Sequence, residues 1–401
     1  MSEIFRTASV CVRARPAEDR ARWVVTFDNF GLGPGFERRG FGERFLAESG
    51  VSAIHVMGAG DDWYQYPEMI EAMAAVRCAT ADAKTVMTYG SSMGGYAALR
   101  FADAARATAA LALSPQHNID PSRPPYEDRW IQSAQNIRWL PDLAGPLTWR
   151  AQARPVVVYD QRSPDAAQAA AIASEIDLTP IGLPYAGHPI SSHLAEIGLL
   201  KPLFFAVLEG RLDAHKFRAE ARSRRNTPVY LTEISQALAD RRPETALALA
   251  RRGVECAPTN TRVLSNLGQL LLRVGRVEEG LATLARSVEV WRTDTTLTAY
   301  ANALADHGRL ADARRLAAEV VDLLPHLAYL RLWQAMLAYR AQDFSAALAA
   351  SSEALRLDPT DPHAQALAAD CRARLDGVDQ PAPSVRARRL RDLFRRDMHR
   401  W

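Results

Sequence analysis

The second half of this chain repeats itself at a fixed interval. From about residue 227 strand signals stop, and the sequence becomes rich in Ala, Leu and Arg at helical spacing. It is punctuated by "ECAPTN", "WRTD", "LLPHL" and "LDPTD". Pro258, Arg292, Pro325 and Pro359 hold corresponding places in these breaks, at spacings of 34, 33 and 34 residues. A period of that length belongs to a helix–turn–helix unit that buries its apolar face only against the next copy. Small residues keep the same register: Gly268, Gly280 and Ser287, then Ala301, Ala313 and Val320, then Ala335, Ala347 and Ala354. Short side chains at those places let two helices approach closely, while Leu264, Leu267 and Leu271 fill the stack.

These features resemble the tetratricopeptide repeat family over about 227–361, with "PHAQALAADCRARL" as a capping helix. Residues 227–376 are thus expected to form an all-α solenoid of about four repeats plus that helix. The resemblance implies a concave face that takes a protein partner. Two departures stand out: Leu297 occupies a place where the family favours Trp, and the first copy is loose around Glu233. Residues 211–226 are polar and Arg-rich and read as a helical connector. Residues 377–401 form a basic tail whose helical spacing puts Leu390, Leu393, Phe394, Met398 and Trp401 on one face. Such a tail suits a peripheral membrane contact, an acidic partner, or a final solvated helix.

Length and charge bound the rest. At 401 residues the chain can hold two or three domains. The net charge is +3, but residues 381–401 carry seven Arg and two Asp, so everything before them sums to −2. That balance excludes nucleic-acid binding by the body of the protein. Cys11, Cys78, Cys256 and Cys371 lie far apart and form no C-x-x-C pair, so neither a zinc site nor a disulfide framework is indicated. No cofactor motif is present. The opening residues lack an apolar core segment of the secretory type, and no apolar run reaches membrane-spanning length. The cytoplasm is the expected compartment.

Up to about residue 205 the pattern differs. Runs at 22–30, 51–58, 84–90, 107–115, 154–160 and 178–187 read as strands, with helical stretches such as "PEMIEAMAAVRCATA" and "SPDAAQAAAIASEI" between several of them. Continuous apolar strands alternating with helices predict a mostly parallel sheet covered on both faces. Residues 1–210 are taken as this α/β domain.

Within it, Gly90-Ser91-Ser92-Met93-Gly94 matches G-x-S-x-G, directly after the strand "KTVMTY" and before the helical "YAALRFADAARA". A serine on such a strand-to-helix turn is lifted for attack. The glycines are needed where side chains would strike the neighbouring strand and helix. Ser92 is the predicted nucleophile. Its base is predicted to be His188, in "LPYAGHPISSHLAEIGLL" after the last strand, with His193 as the second choice. The acid lies after "RPVVVY", where Asp160 and Asp165 both fit. Distance past the strand favours Asp165, whereas Ser163 and Pro164 as a helix start favour Asp160.

Taken together, residues 1 to about 210 resemble the α/β-hydrolase superfamily, whose chain order of nucleophile, acid and histidine is kept here. "YGSSMGGYAALRFA", "DDWYQ" and "AGH" followed by "HLAEIGLL" are similar to bacterial hydrolase-like proteins found around surface-polysaccharide and glycoprotein biosynthesis. The resemblance implies an oxyanion hole made by the backbone N–H of Met93 and by that of Asn29 or Phe30, in the turn "FDNFGLGPG". Trp63 and Tyr64 would wall the substrate pocket. Residues 116–150, with Trp130, Trp139 and Trp149, interrupt the alternation where such enzymes insert a cap. The implied activity is that of a serine hydrolase of esterase or deacylase type, working through an acyl-Ser92 intermediate on a small-molecule or glycan ester. An acyltransferase and a non-catalytic scaffold with working repeats are the alternatives, since fold alone does not choose among them.

Overall fold

All six apolar runs of the first half become strands of one eight-stranded sheet. The structure is a computed structural model, and it describes residues 1–33 and 35–377. The basic tail from residue 378 on lies outside the described residues. The strands are β1 (Ser2–Arg6), β2 (Val10–Arg15), β3 (Arg22–Phe27), β4 (Ser52–Gly58), β5 (Thr85–Ser91), β6 (Ala109–Leu113), β7 (Val156–Asp160) and β8 (Thr179–Leu183). They lie in the order β1-β2-β4-β3-β5-β6-β7-β8. From β4 to the β8 edge all neighbours are parallel, whereas β1 and β2 form an antiparallel hairpin added to the other side of β4. That hairpin is absent from the sequence reading.

Side chains alternate across the sheet with the two-residue period of a strand. Trp23, Val25 and Phe27 of β3 enter one core, and Val24 between them enters the other. Helices cover both faces: α1 (Glu43–Glu48), α2 (Met69–Ala79), α3 (Met93–Arg100), α4 (Ile131–Asn136), α5 (Asp165–Glu175), α6 (Ile190–Glu196), α7 (Leu200–Leu208) and α8 (Ala214–Ser223). The last of these is the segment read as a connector. Asp213 caps it by accepting from the N–H groups of His215 and Lys216. Phe217 and Ala221 are buried in the core that holds α6 and α7, so α8 is packed with the sheet rather than spanning free.

The chain runs from β3 to β4 on one side and then returns to β5 on the other. This places a topological switch at the carboxyl ends of β3 and β5. In open parallel sheets such a point leaves a crevice between diverging loops, which is where ligands bind. The Asn29–Phe30 turn and Ser92 both stand there. Residues 116–150 are mostly irregular, and Trp130, Ile137, Trp139 and Leu143 pack onto the core that contains α2 and α3.

The chain divides into two units between Glu233 and Ile234, within helix α9 (Pro228–Leu238). The second unit is helical throughout its described residues: α10 (Pro243–Cys256), α11 (Thr261–Arg273), α12 (Val277–Val290), α13 (Asp294–Asp306), α14 (Leu310–Leu323), α15 (Ala328–Arg340), α16 (Phe344–Leu357) and α17 (Pro362–Leu375). Pro258, Arg292, Pro325 and Pro359 all fall in the links between successive hairpins. Three of the helices that follow those links begin at side-chain caps, from Asn260, Thr293 and Asp361. The small residues do what their register implies. A Cβ on Gly268 would stand 2.7 Å from Leu284 Cγ and 3.1 Å from the Gly280 carbonyl oxygen, so the α11–α12 crossing admits no side chain there. Ala301, Ala313, Ala335 and Ala347 are fully buried at the matching positions. This is a helical repeat region, consistent with a tetratricopeptide-type solenoid.

Candidate active site

Ser92 lies between the end of β5 and the start of α3, with φ 54° and ψ −120°. That positive φ is strained for a residue with a side chain and persists only where the surroundings enforce it. They do so through the flanking glycines. A Cβ on Gly90 would lie 2.1 Å from the Gly94 carbonyl oxygen, and one on Gly94 would lie 2.4 Å from that of Phe27. Close approach of β3, β5 and α3 is thus what the G-x-S-x-G spelling encodes.

The histidine comes from the loop after β8. His188 Nε2 is 2.9 Å from Ser92 Oγ, and its Nδ1 is 3.0 Å from Asp165 Oδ2. Asp165 is the first residue of α5, and its side chain is 1% exposed. Burial pushes its carboxyl up. The hydrogen bond and charge of His188, with the Arg129 guanidinium, more than offset this and leave it below its ordinary value. An ionised carboxylate on Nδ1 places the imidazole proton there and leaves Nε2 to accept from the serine hydroxyl.

Asp160, the other acid that the sequence allows, does not meet the histidine. It is buried, and its carboxylate accepts from the backbone N–H groups of Arg162 (2.7 Å), Tyr185 (3.1 Å) and Gly187 (2.8 Å). It therefore ties down the loop that carries His188. His193 is not brought to Ser92 either. It sits in α6 against Tyr230, with Thr227 Oγ1 3.5 Å from its Nδ1, and burial pushes it down to about 4.

The turn after β3 is held from several sides. Tyr64 Oη accepts from the N–H of Asp28 and donates to the Val56 carbonyl. The Asp28 carboxylate accepts from Arg38 and from the N–H of Phe41, and the N–H of Gly31 donates to Asp61. The turn abuts the start of α3, since a Cβ on Gly94 would stand 2.8 Å from the carbonyl oxygen of Asp28, the residue before Asn29. Met93 is the first residue of that helix, where backbone N–H groups lack intrahelical acceptors.

Tyr64 does not stand with Trp63 as a pocket wall, the place the sequence suggests for it: its hydroxyl is bonded beneath this turn, and its ring is edge-on to Phe27. Trp63 does reach the site. It lies 5.7 Å from both Phe30 and Trp130, and Trp130 in turn lies 5.1 Å from His188. Trp63 Nε1 donates to Gln116 Oε1, which turns the Gln116 amide nitrogen toward Ser92 Oγ at 3.3 Å. Gln116, Glu127 and Arg129 are functional candidates that the sequence reading lacks. The signal for Gln116 is its place two residues past the loop start after β6, at the same sheet end as Ser92. The other two sit in a segment without periodicity.

No family model matches this chain, and no curated protein matches it. Solved structures similar to part of it include MamA (residues 41 to the end) from Desulfovibrio magneticus RS-1, at 16% identity and a TM-score of 0.33, covering 43% of this chain and 93% of that one. YrrB, a TPR protein with an unusual peptide-binding site, matches at 17% identity and a TM-score of 0.31, covering 43% and 88%. A thermophilic TPR protein in Thermus thermophilus matches at 18% identity and a TM-score of 0.33, covering 45% and 98%.

Proposed function

We propose that the first unit is a serine hydrolase acting on an ester and that the helical repeats hold a protein partner. The observation that carries the first half is the continuous hydrogen-bonded line from Ser92 Oγ through both nitrogens of His188 to Asp165. In this reading Ser92 Oγ attacks the carbonyl carbon while His188 Nε2 takes its proton. Asp165 stabilises the imidazolium, which then protonates the leaving alcohol. The oxyanion is held by the N–H of Met93 and a donor from the Asn29–Phe30 turn, at the positive end of α3. Water then releases the acid, or an acceptor hydroxyl takes the acyl group, which makes the enzyme a transferase.

A second reading, an inert hydrolase-like scaffold, draws support from closure: Ser92 is 5% exposed and Trp130 packs on His188. For the repeats, support comes from a groove between α14 and α16, floored by Gln334 and Ala338 of α15 and edged by Arg314, Arg331 and Glu353. The two readings of the first unit separate on a short-chain ester such as p-nitrophenyl acetate. Turnover that disappears in Ser92→Ala supports the enzyme. Equal rates in the two proteins, or none above buffer in wild type, remove it.

A further inference from the structure

Residues 116–150 do more than cover the sheet, for they touch the triad at its acid. Arg129 Nη2 donates to Asp165 Oδ1 at 2.7 Å and to Glu127 Oε2 at 2.6 Å, and Arg129 Nε donates to Glu127 Oε1 at 2.9 Å. The guanidinium fork is thus bidentate on one carboxylate and monodentate on the other, the geometry in which arginine gives fixed orientation as well as charge. Both carboxylate side chains are 1% exposed. The guanidinium carbon lies 4.6 Å over the Trp130 ring, the same ring that packs on His188.

We propose that Arg129 and Glu127 form a positioning pair for the Ser92–His188–Asp165 line: Arg129 holds the Asp165 carboxylate toward His188, and Glu127 offsets the charge that Arg129 brings. The proposal rests on the serine hydrolase reading. Its physical basis is a conflict. An arginine on the triad acid steadies that carboxylate, yet it also weakens the attraction between the carboxylate and the imidazolium formed in the reaction. A second buried carboxylate on the far side of the guanidinium removes the conflict. One positive and two negative side chains leave a single net negative charge facing His188, as an unbraced aspartate would. Two further charged groups stand near the histidine loop: Asp160, bound to the N–H groups of Tyr185 and Gly187, and Glu233, whose Oε1 would lie 3.0 Å from a Cβ placed on Gly187. The positive end of α3 lies at Ser92. None of these changes in the variants below.

The test uses the full chain and a fluorophosphonate, with Ser92 displacing fluoride at phosphorus and its proton passing to His188. The second-order labelling rate is followed from pH 5 to 9 in wild type, Arg129→Met, Glu127→Gln and Arg129→Lys, with a thermal melt of each. Removing the guanidinium leaves two carboxylates to stabilise the imidazolium, so the acid limb should move up by about one to two pH units. Removing the Glu127 charge leaves Asp165 neutralised, so the limb should move down by a similar amount, as one unit charge several ångströms away implies. Arg129→Lys should keep the wild-type limb with a lower plateau, because the charge stays and the fork is lost. Opposite shifts from neighbouring residues are not produced by lost stability. A limb unchanged in all variants, whether or not their melts fall, overturns the proposal. Absence of Ser92 labelling in wild type instead overturns the hydrolase reading beneath it.

Discussion

If the proposed hydrolase reading holds, Asp165→Asn is expected to lower turnover by about 10⁴-fold, the scale of the same change in a characterised serine triad, while leaving the fold intact. An amide facing Nδ1 can donate to it, which moves the imidazole proton to Nε2 and leaves no acceptor for the Ser92 hydroxyl. Asp160→Asn is expected to act the other way round. Its carboxylate holds three backbone N–H groups and contacts no catalytic atom. The variant should therefore lose about 1.5–3 kcal/mol of stability and show a smaller fall in turnover. Urea melts and ester hydrolysis on both variants read the contrast. Equal small losses in both would remove Asp165 from the site.

The second large effect is structural. In Gly94→Ala the new Cβ would stand 2.4 Å from the Phe27 carbonyl oxygen and 2.8 Å from that of Asp28. Both obstacles are backbone atoms at the end of β3, so no side chain can turn away to make room. The expected cost is about 3 kcal/mol or more, together with loss of activity, because the turn that moves is the one beside Ser92. Gly145→Ala is the matched control. Nothing lies within 4 Å of its Cβ position, and the change should stay within about 0.5 kcal/mol of wild type. Equal midpoints in urea for the two variants would contradict the account of the glycine turn.

What the sequence makes legible follows from what repeats or alternates in it. The 34-residue period, the six apolar runs and the glycine-flanked serine each state a local rule, and each appears in the structure at the expected place. The β1–β2 hairpin escapes because its first strand is an exposed edge. Only "VCVRAR" shows the two-residue alternation, and it follows no helix. Asp160 and Asp165 are inseparable in one dimension because a single turn lies between them. In three dimensions, Asp160 ends β7 facing the backbone after β8, whereas Asp165 opens α5 and swings toward His188. Trp63 and Tyr64 are adjacent, yet both have left-handed backbone angles, so one reaches the site and the other goes beneath the β3 turn. No composition rule foretells that. Arg129 reaches Asp165 across 36 residues, and Gln116 reaches Ser92 across 24, through a segment whose sequence has no period to read.

Ser92 is the proposed nucleophile, and a covalent adduct on its Oγ can be located by mass. Trypsin should release Thr85–Arg100, a peptide holding Ser91 and Ser92 side by side, from fluorophosphonate-treated protein. Fragment masses should place one adduct on Ser92, with none in His188→Ala treated alongside. An adduct on Ser91 or elsewhere would rule out Ser92 as the nucleophile, and equal labelling without His188 would rule out His188 as its base.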